Sequence, residues 1–200
     1  MSKRDFAIIG NGLSGTSLLQ SLLNAHPGII CEFEKHVGPQ DFNQWKIDSL
    51  ATDKTWGNKQ PIERLLSMGW NKEYIISIVD SFYVINTVRR YSGYADCFKR
   101  RYIHRDIAWM NKDVQTKLLW DLNHKIYWAM CERQPGKVIR VVFEDLLTNP
   151  KGEALRILEF LNIDYTDLQI DQMVQCAPNN IKYYPKSGTI DQQKATMMYK

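Results

Sequence analysis

The residues best suited to chemistry are Gly10-Asn11-Gly12-Leu13-Ser14-Gly15-Thr16-Ser17. They follow an apolar run, Phe6-Ala7-Ile8-Ile9, and precede a helical stripe of Leu18, Leu19, Leu22 and Leu23. A buried strand, a glycine-rich turn and a helix start in that order make an anion site. Backbone N–H groups and the positive end of the helix dipole converge on one point there. Thr16 and Ser17 add two hydroxyls at the helix start. A second basic feature is the apolar run 82–88, which ends in Arg89-Arg90. Guanidinium grips phosphate through paired, parallel hydrogen bonds. The ligand indicated is therefore a phosphate-bearing molecule. The loop lacks the Gly-Lys-(Ser/Thr) ending of a nucleoside-triphosphatase loop, and no Cys/His cluster has zinc spacing.

The elements that must position these groups follow from periodicity and breakers. Strands are expected near 5–10, 29–33, 82–88 and 137–143. Helices are expected near 15–25, 61–68, 71–80, 92–104, 111–133, 150–161 and 167–176. Alternation of this kind implies an α/β fold, a parallel sheet covered by helices on both faces. Ligands of such sheets bind beyond the carboxyl ends of the strands. Gly10, Glu34 and Arg89 all fall at such ends. With 200 residues and 44% hydrophobic content, one domain over 1–200 is expected, with a real core. The net charge of +4 suits an anionic ligand and does not argue for nucleic acid. Lys99, Arg100, Arg101 and Arg105 form the densest basic run, read either as a solvated helix face or as a rim attracting anions. No apolar run is long enough to span a membrane. Scattered Cys31, Cys97, Cys131 and Cys176, and the absence of a leader pattern, point to reduced thiols in a cytoplasmic protein.

Two resemblances compete for the loop. Gly10-x-Gly12-x-x-Gly15, with Glu32 and Glu34 about 20 residues on, resembles the dinucleotide fingerprint that opens many flavoproteins. Alternatively, Leu13-Ser14-Gly15-Thr16-Ser17, followed by His26-Pro27, resembles the 5′-phosphosulfate loop of sulfotransferases. The loop alone leaves both open. Three later segments favour the second. Residues 82–90 resemble that family's 3′-phosphate strand, in which an Arg is followed eight residues later by Ser; here the pair is Arg89 and Cys97. Val138 to Pro150 resembles its strand-Glu-Asp-Leu-x-x-x-Pro element. Trp56-Gly57-Asn58-Lys59-Gln60-Pro61 resembles the Trp-Gly-x-Lys-x-Pro turn of bacterial and tyrosylprotein sulfotransferases.

This resemblance implies a P-loop kinase-like sulfotransferase fold and 3′-phosphoadenosine 5′-phosphosulfate (PAPS) as donor, with 3′,5′-adenosine bisphosphate (PAP) as product. The acceptor is a hydroxyl or amine on a small molecule, sugar or peptide. Gly12, Leu13, Ser14, Gly15, Thr16 and Ser17 line the 5′ side; Arg89 and Cys97 take the 3′-phosphate. Lys59 stabilises the sulfuryl oxygens or leaving group. Glu34 is the base, with Glu32 and His36 behind it. Trp45, Trp56 and Trp70 are either core residues or a stacking face. Leu13 departs from the family, which carries Lys or Arg there, and leucine donates no hydrogen bond. Tyr184-Pro185-Lys186-Ser187-Gly188-Thr189 is an ordinary turn or a closing loop whose Lys186 covers the 3′-phosphate. A non-catalytic nucleotide-binding homologue and a flavin- or nicotinamide-binding protein are the alternatives.

Overall fold

The computed structural model describes residues 3–102 and 112–181. The apolar run becomes strand β1 (Phe6–Gly10), wholly buried, which runs through the glycine turn into helix α1 (Thr16–Asn24). Strand β2 (Ile29–Phe33) follows, then a short 3-10 turn (Pro39–Asp41), α2 (Phe42–Leu50) and β3 (Thr55–Pro61). Next come α3 (Ile62–Ser67), α4 (Lys72–Ser81), β4 (Tyr83–Val88), α5 (Tyr91–Tyr102) and α6 (Lys112–Arg133). The described chain closes with β5 (Val138–Val142), α7 (Phe143–Thr148), α8 (Pro150–Leu161) and α9 (Asp167–Ile181).

The five strands form one sheet in the order β2-β3-β1-β4-β5, and every pairing is parallel. All strand C-termini thus open on one edge. Alternation along β1 sends Phe6 and Ile8 into a core built with Leu19, Leu22, Ile157 and Leu158, on the α1, α8 and α9 side. Ala7 and Ile9 face the opposite core of Trp45, Trp56, Ile62, Trp70 and Ile75, on the α2, α3 and α4 side.

Strand β3 corrects the expected turn at Trp56–Pro61. The segment lacks an apolar alternation, yet residues 55–60 are all buried. Three local facts make it a strand. A Cβ on Gly57 would lie 2.3 Å from the Phe6 ring, so glycine admits that ring. The Trp56 amide donates to Asp5 Oδ1 at 2.8 Å. Asn58 Nδ2 and Gln60 Nε2 both donate to the Lys35 carbonyl, at 2.8 and 3.0 Å, so the buried amides are satisfied. Helix α2 was also absent from the sequence expectation. The strand expected over 137–143 stops at Val142, where Phe143 starts α7.

The strand order also removes the dinucleotide reading. In that fold β2 lies directly beside β1, which places its terminal acid next to the glycine loop. Here β3 stands between them, and the end of β2 is displaced by two strand spacings, about 10 Å. Cys31, Cys97, Cys131 and Cys176 are free thiols. No helix among the described residues is long and apolar enough to cross a membrane.

Candidate active site

The loop between β1 and α1 is held from inside. Ser14 Oγ donates to the Asn11 carbonyl at 2.6 Å and meets Thr87 Oγ1 at 2.8 Å, and the Ser14 amide also returns to the Asn11 carbonyl. Ser14 therefore shapes the turn. Gly10 admits Thr87, whose Oγ1 would stand 2.0 Å from a Cβ. Gly15 is left-handed, with φ 88°, and caps α1 without a side-chain partner. A Cβ there would also strike the Phe143 ring at 2.3 Å. Leu13 is left-handed as well, with φ 73°. Asn11 Nδ2 ties the turn to α6 by donating to the Leu119 carbonyl at 3.0 Å. Thr16 is buried and Ser17 half-buried in the first turn of α1, where backbone amides lack intrahelical acceptors.

Arg89 stands just past β4 and is 3% exposed. Its Nη1 donates to the Leu13 carbonyl at 3.2 Å and contacts Cys97 Sγ at 3.1 Å. Its guanidinium carbon lies 4.5 Å from the centre of the Phe143 ring. Glu144 lies 3.8 Å from Arg89 Nε and accepts the Arg90 amide on both oxygens, at 3.3 and 3.2 Å. The Glu-Asp-Leu segment thus holds the turn that aims Arg89 at the glycine loop. That role is invisible in the sequence, because the two segments are over fifty residues apart.

A second cluster adjoins the first. Lys59 Nζ donates to Glu34 Oε1 at 2.6 Å and lies 3.9 Å from the centre of the Phe33 ring. Burial pulls the Lys59 ammonium below the ordinary lysine range, and the Glu34 hydrogen bond opposes that shift. Glu34 adopts φ 49°, and its amide donates to the Lys59 carbonyl at 3.0 Å. Arg64 Nε reaches Glu34 Oε2 at 3.1 Å. The loop beyond Glu34 is pinned by indoles: Trp45 Nε1 donates to the His36 carbonyl at 2.8 Å and Trp70 Nε1 to the Val37 carbonyl at 2.5 Å.

Those tryptophans, with Trp56, belong to a buried aromatic cluster with Phe42 and Phe82. They are core residues and offer no stacking face. Of the secondary base candidates, Glu32 pairs with Lys35 at 3.3 Å and His36 with Asp48 at 3.3 Å. Lys186, Arg105 and the segment 184–189 lie outside the described residues, and the side chains of Lys99, Arg100 and Arg101 are likewise outside them.

Helix α3 joins the two clusters through neighbours that no motif singled out. Glu63 Oε2 accepts the Gly12 amide at 2.8 Å, while Arg64 pairs with Glu34. The structure thus gathers Gly12, Leu13, Arg89 and Cys97 in one group and Glu34 with Lys59 in another. Consecutive residues of α3 link them along the open edge of the sheet.

The sequence profile of the sulfotransferase family matches residues 62–167, more than half of the chain. The chain belongs to the sulfotransferase family. Protein-tyrosine sulfotransferase A of Caenorhabditis elegans is 24% identical over 77% of the chain and 48% of its own length. A candidate protein-tyrosine sulfotransferase of Caenorhabditis briggsae is 23% identical over 76% of the chain and 63% of its own length. The chain therefore spans less than two thirds of these curated relatives. Among solved structures, the sulfotransferase domain from the curacin biosynthetic pathway superposes with a TM-score of 0.68 at 16% identity, covering 98% of this chain and 90% of that one. A mouse sulfotransferase complexed with PAP gives 0.63 at 15% identity, covering 94% and 68%. The family's P-loop-like α/β fold is thus the fold of this chain.

Proposed function

We propose that this chain transfers a sulfuryl group from PAPS to a hydroxyl or amine acceptor. The observation that carries this reading is the convergence of a buried arginine on the glycine loop, with Arg89 Nη1 3.2 Å from the Leu13 carbonyl. In this reading Arg89 serves as a 3′-phosphate grip beside a 5′-phosphate loop. The loop fits an anion: its Gly12 amide already holds a carboxylate oxygen, that of Glu63.

In this reading the first amides of α1, with the Thr16 and Ser17 hydroxyls, hold the 5′-phosphosulfate, and Arg89 holds the 3′-phosphate. Lys59, buried and cationic, stabilises charge developing on the sulfuryl and bridging oxygens. Glu34 takes the acceptor proton as the acceptor oxygen or nitrogen bonds to sulfur. The sulfur–oxygen bond to the 5′-phosphate breaks, and PAP leaves. The Glu34 oxygen that faces half-exposed Arg64 is the one assigned this task, because the other is held by buried Lys59. Much of the rate then comes from alignment and fixed charge. Small-molecule, sugar and peptide acceptors are all compatible with this reading. The similarity to protein-tyrosine sulfotransferases makes phenolic hydroxyls the first acceptors to assay.

The test is a calorimetric titration with PAP, with flavin and nicotinamide dinucleotides as controls. PAP binding without dinucleotide binding is expected. Arg89→Ala should weaken PAP binding by about 10- to 100-fold, the worth of a lost charged hydrogen-bond partner. Undiminished binding by that variant overturns the assignment.

A second reading, a homologue that binds the nucleotide without turnover, is favoured by one observation. Leu13 puts an aliphatic side chain where the family carries a cation.

A further inference from the structure

Glu63 lies outside the motifs, yet it makes the most direct contact with the glycine loop of any side-chain carboxylate among the described residues. Its Oε2 accepts the Gly12 amide at 2.8 Å, and its Oε1 accepts the hydroxyl of fully buried Tyr94 at 3.2 Å. The three nearest atoms to a Cβ built on Gly12 would all belong to this carboxyl group, at 3.7 to 3.9 Å. Both oxygens are thus placed, one by the loop and one by α5. An amide of the anion-type loop thus donates to an anion of the protein itself. Two negative groups cannot share one N–H without strong repulsion in a partly buried site.

We propose that Glu63 is an internal competitor for the donor site, holding the Gly12 amide until a phosphate-bearing ligand displaces it. The identity of that ligand as PAPS rests on the function proposed above; the competition does not. Glu63 then sets the affinity of the loop for its donor. Release of the product is assisted as the carboxylate returns to the amide. Glutamine at this position keeps the size and can still accept the Gly12 hydrogen bond, but it lacks the charge that repels the ligand.

The experiment measures binding of two probes, PAP and inorganic pyrophosphate, to the wild type, Glu63→Gln and Glu63→Ala. The 15N-resolved amide shift of Gly12 is followed in parallel. Both variants are expected to bind each probe about tenfold or more tightly, since a charge-assisted hydrogen bond no longer has to be broken. The Gly12 amide should move in ligand-free Glu63→Ala toward the position of an amide not bound to carboxylate. Equal or weaker binding of both probes by both folded variants overturns the proposal, as does a Gly12 shift that is the same in all three proteins. Tighter pyrophosphate binding with no PAP binding keeps the competition and rejects the PAPS reading. Absence of binding by either probe to any of the three proteins rejects both.

Discussion

Leu13 concentrates the question of activity in one side chain. Its backbone is left-handed, φ 73°, and its carbonyl accepts from Arg89. Its main chain thus takes part in the loop, and its side chain carries no charge where the resemblance implies Lys or Arg. An arginine there would carry the same left-handed cost as the leucine, so that term cancels. If the proposed function holds, Leu13→Arg is expected to raise PAPS-dependent turnover by up to about 100-fold, the scale of one missing transition-state contact. A steady-state assay checks this. No gain would mean that Lys59 already supplies the needed charge. Cys97 is milder: its sulfur sits 3.1 Å from the Arg89 guanidinium, as a weaker partner than serine.

At the scale of elements, β3 decides how the site is built. It is flanked by β1 and β2, and it carries Lys59 on one face and Asn58 and Gln60 on the other. The polar pair grips the Lys35 carbonyl, which fixes the turn presenting Glu34. Lys59 registers with Phe33 across the strands. Gly57 gives the strand room for the Phe6 ring beside it. Gly57→Ala is therefore expected to lower stability by about 1–3 kcal/mol, the range for overpacking a tight core. Urea unfolding reads that loss; an unchanged midpoint would mean that the Phe6 ring moves aside at little cost. The same logic explains why β3 escaped the sequence reading. A strand whose burial is satisfied by side-chain amides and a glycine gap carries no apolar alternation. Strands β1, β2 and β4 were legible because they are apolar runs bounded by turns. Helix α2 buries only Trp45 and Ser49, so it carries little helical periodicity to read.

For the whole molecule, two histidines, His26 buried and His124 half-buried, couple folding to pH. Burial holds His26 and His124 below the ordinary imidazole range, and Arg140 adds to the shift at His124. In the unfolded chain each takes a proton near pH 6.5. Below that pH the unfolded state binds more protons than the folded one, so stability is full above it and falls as pH drops toward the lowered folded values. Urea midpoints at pH 7.5 and 5.5 should show the loss, and His26→Gln should remove part of it. A midpoint that is flat across this window would contradict it. A separate acid loss belongs below the ordinary carboxylate range. There Asp80, held down mainly by its paired hydrogen bonds from Arg133, is protonated and the tie between α4 and α6 weakens.

The sequence by itself determined the local chemistry of this protein. A glycine turn after an apolar strand, hydroxyls at a helix start and an arginine at a strand end are short-range patterns, and short-range sterics and hydrogen bonding are enough to write them. The family resemblance carried by four such segments agreed with the fold. Tertiary structure alone decided which strand lies beside β1, which agrees with the choice that three later sequence segments already favoured over a dinucleotide fold. It also placed Lys59 on a central strand, assigned three tryptophans to the core, set Glu144 behind Arg89 and brought Glu63 to the Gly12 amide. Those outcomes depend on side chains tens of residues apart meeting across a parallel sheet. Sheet order is fixed by the packing of two whole cores, and no local pattern records it.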